Sequence, residues 1–303
     1  MTEFIDALCD ENLALIRYAL IAGLLASVSC GMVGTYVVAR RITYLAGAIA
    51  HCVMGGMGGA IYAKYALAGS WVDETLGLAW ITPLGGAVVA AMLAAIVIAV
   101  VSLRFKQRED TIISALWAVG MAAGVLLIYK TPGYQQDLMG YLFGDIVMVS
   151  STDLILLAIL DAVVVLVCLF FGRQLLAVCF DEEFARTRGL RVDLYYILLL
   201  CLTALTVVLL VSVVGIVMVI ALLTLPAATA GQLAKRLWQV MLLAVLLSMA
   251  ISTAGLAISY GPSLPAGPTI IILAAGLYLA VTTGKIILGK VRRSYGNGKA
   301  DRL

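Results

Sequence analysis

The chain has 303 residues, of which 63% are hydrophobic and only 12% charged, with a formal net charge of +3. Soluble domains carry about 25% charged residues, so an ordinary soluble globular domain is excluded. So small a net charge gives no reason to expect a nucleic-acid partner; the placement of the cations is what informs.

The apolar runs are far longer than the roughly 10-residue alternating segments of a membrane β-barrel. They predict an all-α, polytopic transmembrane helix bundle of eight or nine spans, forming one membrane domain over residues 1–303. The first twelve residues carry Glu3, Asp6, Asp10 and Glu11 where a secretory signal needs positive charge, so no cleavable signal is expected. Windows of about 20 apolar residues then place spans near 14–39, 42–66, 78–103, 111–130, 153–171, 194–211, 212–230, 237–259 and 268–286.

The second span holds the only histidine, His51, on a ladder with Gly47, Gly55 and Gly59. Residues four apart share a helical face, so that face carries one imidazole and almost no other side chain. Two readings stand: a histidine hydrogen-bonded to a neighbouring helix, or a polar group on a path through the membrane. Cys52 beside it points about 100° away and reads as a packing residue. The fifth span carries Asp161, whose nearest candidate cation, Arg17, lies near the outer end of its own helix. A hydrogen-bonded packing role suits that mismatch better than an ion pair, although an intramembrane carboxylate is also a functional candidate.

The connection 172–192 holds the densest charge between spans. Asp181 is placed to cap a short helix with Glu182 and Glu183 in its first turn, Arg186 and Arg188 at its end, and Gly189 as its stop. Acid first, base last and glycine after is what the helix dipole and a left-handed C-cap favour. Phe180, Phe184 and Ala185 give it an apolar side, so it reads either as a docking element or as an ordinary solvated loop.

Leu194–Ala230 is twice the length of one crossing and is divided near Val211–Gly215. Pro226, in the second half, is expected to kink its helix or to free carbonyls at a gate. Gly284–Lys290 fits G-x-x-x-x-G-K, but Val291 replaces the hydroxyl residue that would hold Mg²⁺ and no strand precedes it. An ATP site within the chain is therefore not expected.

Strict alternation from Arg40–Arg41 puts Arg104, Lys106, Arg108, the 172–192 connection, Lys235–Arg236 and the C-terminal cations on one side. Only Arg17, Lys64 and Lys130 of the 20 Lys and Arg fall on or toward the other. The positive-inside rule then sets the N-terminus outside and the C-terminus in the cytoplasm. Six cysteines (Cys9, Cys30, Cys52, Cys168, Cys179, Cys201) lack C-x-x-C spacing and read as small hydrophobes. Pairs such as Gly55/Gly59 and Gly120/Gly124 suit close helix packing.

Taken together, several segments resemble the integral-membrane permease of the ABC-3 family. They are Leu45–His51 after an arginine-ended first span, Glu109–Asp110, Tyr141–Asp145, Phe180–Ala185 with Gly189, and Leu225-Pro-Ala-Ala-Thr-Ala230. In order and spacing the match runs from about residue 14 to 284. The resemblance implies the pore-forming subunit of an importer of zinc first, then manganese or iron, in the plasma membrane of a prokaryote (the inner membrane if Gram-negative). It implies as partners a cytoplasmic ATPase, a second permease copy or paralogue, and an extracytoplasmic metal-binding protein. It implies no permanently bound cofactor, only the metal in transit. His51 would contact that metal, Gly47, Gly55 and Pro226 would lie by the path or gate, and Asp181, Glu182, Glu183, Arg186 and Gly189 would form the coupling helix. Many members carry an aspartate four residues before the histidine, where this chain has Gly47. The competing reading is an ion- or proton-coupled secondary transporter, against which the single intramembrane carboxylate and the absence of a visible repeat both count.

Overall fold

The computed structural model describes residues 14–68, 82–105, 109–132, 142–144, 146–262 and 264–300. The acidic N-terminal residues, Cys9, the predicted start of the third span at 78, Tyr141 and Asp145 lie outside the described residues. Within them are ten helices: α1 (Ala14–Ala39), α2 (Tyr44–Ala68), α3 (Pro83–Phe105), α4 (Glu109–Tyr129), α5 (Ser151–Phe180), the short α6 (Glu182–Thr187), α7 (Val192–Val214), α8 (Ile216–Leu233), α9 (Leu237–Tyr260) and α10 (Ala266–Ala300). All but α6 are long and apolar enough to cross a membrane, giving nine candidate spans among the described residues.

The spans separate into a core and a periphery. About two-thirds of α1, α2 and α7 is buried inside the chain, against 17% of α4 and 11% of α10. A helix apolar on most of its faces can be buried on several sides, and α1 packs against α5, α7, α8 and α9. Small residues let the backbones meet. A Cβ on Gly34 of α1 would collide with the Leu223 carbonyl of α8, and one on Gly31 would come within 2.7 Å of Val245 Cα in α9. Hydroxyls that would otherwise sit unpaired in hydrocarbon donate to carbonyls of their own helix. Thr35 bonds Gly31 at 2.7 Å, and Thr203 and Thr206 bond Leu199 and Leu202 at 2.8 Å.

Two boundaries differ instructively from the sequence reading. The fifth span, expected to end at 171, continues to Phe180 because Leu175 and Val178 carry its buried stripe past the polar Arg173–Gln174 pair. Its 30 residues make about 45 Å of helix, so it outruns a hydrocarbon core of about 30 Å. The 172–192 connection is therefore mostly helical. The last span likewise runs on from the expected 286 to Ala300. Gly284–Lys290 lies inside it, with its backbone N–H groups committed to the helix ladder, so it cannot cradle a phosphate.

The division of 194–230 falls at Gly215, inside the expected window. Gly215 has φ +81°, a left-handed value that glycine adopts without penalty, and it turns the chain with no polar loop. The segment Leu142–Gly144 packs into this break: a Cβ on Gly215 would come within 2.5 Å of the Phe143 carbonyl carbon. Pro226 does not break α8, which continues through it to Leu233.

Asp161 is buried on α5 and accepts a hydrogen bond from the Ser29 hydroxyl of α1, tying two core helices together; its Oδ2 is enclosed with no hydrogen-bond partner among the described residues. The bond to Ser29 fits the hydrogen-bonded packing reading. Asp161→Asn, which keeps an acceptor for Ser29, is expected to unfold within about 1 kcal/mol of the parent. Asp161→Leu strands the hydroxyl and should cost about 1–3 kcal/mol. Thermal unfolding of the purified chain reads both. A carrier that moved protons on Asp161 would instead lose transport in the Asn variant.

Candidate functional site

The residues singled out in the sequence fall in two places. His51, Gly47 and Gly55 lie together on α2, and Asp181–Gly189 lies at the end of the bundle where α1 stops and α2 starts. Pro226 is buried within α8, one turn beyond the point where Leu223 meets Gly34.

The glycine face of α2 is not open. It is filled by α4 of the same chain, whose Trp117, Gly120 and Gly124 form the matching stripe at helical spacing. A Cβ on Gly55 would come within 2.9 Å of the Gly120 carbonyl oxygen, and one on Gly58 within 2.8 Å of that of Gly124. Gly59, expected as the last rung, meets only Leu127 at 4.0 Å. Each four-residue step overshoots the helical turn by about 40°, so three steps carry Gly59 off the seam and bring Gly58 onto it.

His51 is buried, at 7% exposure, and its ring stacks on Trp117 with centroids 4.9 Å apart and planes 25° from parallel. The imidazole lies about 10 Å along α2 from Tyr44, and Trp117 about 12 Å along α4 from Glu109, so the two rings are at one depth. His51 Nδ1 is enclosed and has no hydrogen-bond partner among the described residues. The expected structural alternative, a histidine bonded to a neighbouring helix, thus lacks its bond at this nitrogen. Cys52 Sγ donates to the Leu116 carbonyl of α4 at 3.5 Å, in keeping with packing. Among the described residues no three His, Cys, Asp or Glu side chains gather as a metal cluster.

Trp117 was not singled out in the sequence, and it accounts for Gly47. A Cβ on Gly47 would lie 2.6 Å from Trp117 Cζ3 and 2.8 Å from Cη2, so the indole occupies the space that a side chain at 47 would need. The only sequence signal was that Trp117 stands three and seven residues before Gly120 and Gly124, on their helical face. Gly47→Asp is therefore expected to destabilise the chain by overpacking, by about 1–3 kcal/mol. Adding Trp117→Ala should recover most of that loss, a non-additivity that a double-mutant cycle of unfolding free energies measures.

The second place is built as the sequence suggested. The Asp181 side chain caps α6 by accepting from the Phe184 N–H at 2.9 Å, with Glu182 and Glu183 in the first turn and Arg186 in the last. Gly189, at φ +77°, ends it in a Schellman arrangement: its N–H bonds the Arg186 carbonyl and that of Leu190 bonds Ala185. Ala185 is fully buried, whereas Phe180 and Phe184 are 69% and 53% exposed. Arg186 pairs with Asp193 of α7 at 2.5 Å.

Arg40, read in the sequence as a side marker and as the end of the first span, joins this element to the bundle. Its guanidinium pairs with Glu182, donates to the Val178 carbonyl at 2.8 Å, and lies 4.3 Å over the Tyr196 ring.

Comparison with known proteins matches residues 12–285 to the ABC 3 transport family. The chain is 36% identical to a "Probable metal transport system membrane protein" of Chlamydia trachomatis over 90% of each chain. It is 32% identical to "Manganese import system permease protein ScaB" of Streptococcus parasanguinis, covering 92% of this chain and 93% of that one. Among solved structures, PsaBC from Streptococcus pneumoniae in complex with Fab superposes with a TM-score of 0.76 at 30% identity, over 92% of this chain and 94% of that one.

Proposed function

The chain belongs to the ABC 3 transport family, and from that premise we propose that it is the membrane-spanning permease of an ATP-driven importer of divalent transition-metal ions. It works as a dimer with a second permease copy or paralogue, a cytoplasmic ATPase and an extracytoplasmic metal-binding protein. The observation that carries the reading is α6: a capped, anchored helix at one end of the bundle, which presents Phe184 beside Phe180 at the end of α5 to whatever docks there. Exposed aromatics on a rigid element are what a partner's cleft recognises.

His51 is the metal's contact in transit. Its buried Nδ1, without a partner among the described residues, and its place on a core helix support this. One imidazole is far short of the four ligands of a stable zinc site, so the ion is held weakly, with water or backbone carbonyls, and released. Manganese moves ahead of zinc as the cargo. Imidazole by itself suits zinc or iron at least as well; what moves manganese ahead is that the relative ScaB is named for it.

The test is co-purification of the ATPase followed by uptake in liposomes. Glu183→Lys together with Phe184→Ala should release the ATPase and stop ATP-dependent metal uptake. Glu182 is the poorer probe, because its pairing with Arg40 holds α6 in place. Proton-driven uptake by this chain alone would overturn the proposal in favour of a secondary transporter.

A further inference from the structure

The groove between α1, α5 and α9 does not belong to either place described above. It encloses about 860 Å³, within the range of ligand pockets. Its floor is apolar, built from Val28, Met32, Val165, Leu169, Met241 and Val245. Its rim carries Arg173 of α5 and Arg236 at the start of α9, both exposed and neither with an ion-pair partner among the described residues. Trp238, 59% exposed, stands beside Arg236, and an adjoining recess adds Lys235 and Gln239.

Depth and charge specify the occupant. Arg173 lies 22 residues beyond Ser151, so about 33 Å along α5, just past a hydrocarbon core of about 30 Å. Trp238 fits the same headgroup layer. Arg236 is the N-cap of α9 and offers its first-turn N–H groups no side-chain acceptor, so the positive end of that helix adds to the two guanidiniums. This is the side that the distribution of Lys and Arg assigns to the cytoplasm, where anionic lipids concentrate. A protein helix lying in the groove would need a carboxylate at headgroup depth facing two arginines from different helices. A phosphodiester with its acyl chains brings both the charge and the apolar tail.

We propose that this groove is a binding site for an anionic phospholipid of the cytoplasmic leaflet, with the phosphate held by Arg173 and Arg236 and an acyl chain lying along the apolar floor. A lipid so placed bridges α5, which leads into α6, to α9.

The test uses the full chain purified in detergent, with phosphatidylglycerol as probe and phosphatidylcholine and inorganic phosphate as controls. Native mass spectrometry should retain one phosphatidylglycerol per chain in preference to phosphatidylcholine, and phosphatidylglycerol alone should raise the unfolding midpoint. Arg173→Gln with Arg236→Gln should bind phosphatidylglycerol about thirtyfold more weakly. The charge-retaining pair Arg173→Lys and Arg236→Lys should keep most of the binding, which guards against a folding defect in the glutamine pair. Equal retention of the two lipids, undiminished binding by the glutamine pair, or a Met241→Cys cross-link to a second protein chain would each overturn the assignment. Stabilisation by inorganic phosphate equal to that by the lipid would do so too, since the floor would then have no role.

Discussion

His51→Phe is expected to abolish metal uptake while leaving the unfolding midpoint of the purified permease within about 4 °C of the parent. The two effects separate because the ring does two things. Its face stacks on Trp117 at 4.9 Å, a contact that phenylalanine retains. Its nitrogens are what a metal ion can use, and phenylalanine removes both. The enclosed Nδ1 has no partner among the described residues, so its loss forfeits no hydrogen bond seen there; if anything, removing a buried orphan relieves a cost of about 1–3 kcal/mol. His51→Ala should also stop uptake, but it adds the penalty of a cavity beneath Trp117, so the pair of variants distinguishes coordination from packing. Uptake at the parental rate in His51→Phe would mean that the imidazole only packs, and the metal path would have to be sought elsewhere. Because His51 is the only histidine in the chain, its reaction with an imidazole-specific reagent reports on this one group. Metal added before the reagent should slow that reaction.

Much of the fold was legible because hydrocarbon leaves the chain few options: every backbone polar group must be satisfied within a helix, so span count follows from apolar length. The first span, 14–39, and the break at Gly215 are read directly from that rule and from a glycine with no polar turn around it. The rule fails where a helix leaves the membrane. Arg173 and Gln174 read as the start of a loop, yet Leu175 and Val178 keep α5 helical to Phe180, because helix periodicity outlasts hydropathy at the interface. At the site, local chemistry was legible and distant pairing was not. The Asp181 cap and the Gly189 stop are contained within nine residues, and they form as their spacing implies. The filling of the Gly47 face by Trp117 depends on two helices 70 positions apart in the sequence, and no period within either helix encodes it. The orientation of the glycine ladder was misjudged at Gly59 for a simpler reason, since a four-residue step is not a helical turn.

If the chain couples to an ATPase as proposed, Arg40→Ala is expected to break that coupling without dismantling the bundle. A six-residue helix has no stability of its own, because nucleation costs more than one turn returns; α6 stays in place through tethers. Its own Ala185 is buried against the bundle, and Leu190 packs just beyond its end. Arg186 and Asp193 form an exposed pair, at 53% and 57%, of the kind that contributes little. Arg40 is the tether with substance: its side chain is 12% exposed and it serves three elements at once. It bonds one of the carbonyls that the end of α5 leaves unsatisfied, at Val178, pairs with Glu182 in the first turn of α6, and stacks on Tyr196 of α7. Removing it should cost about 2 kcal/mol, with the ion-pair part discounted because Glu182 is a third exposed. That is enough to loosen α6 and too little to unfold the packed bundle. ATP-dependent uptake should fall more than about tenfold, since a shift of 1.4 kcal/mol in the docked geometry already amounts to that factor. Arg40→Lys should fall between the two, keeping the charge but losing the fork that reaches Val178 and Glu182 together. A double-mutant cycle with Glu182→Ala isolates the pair from the carbonyl and ring contacts. If Arg40→Ala couples normally, α6 is held by Ala185 and Leu190 alone, and the guanidinium serves only to finish α5.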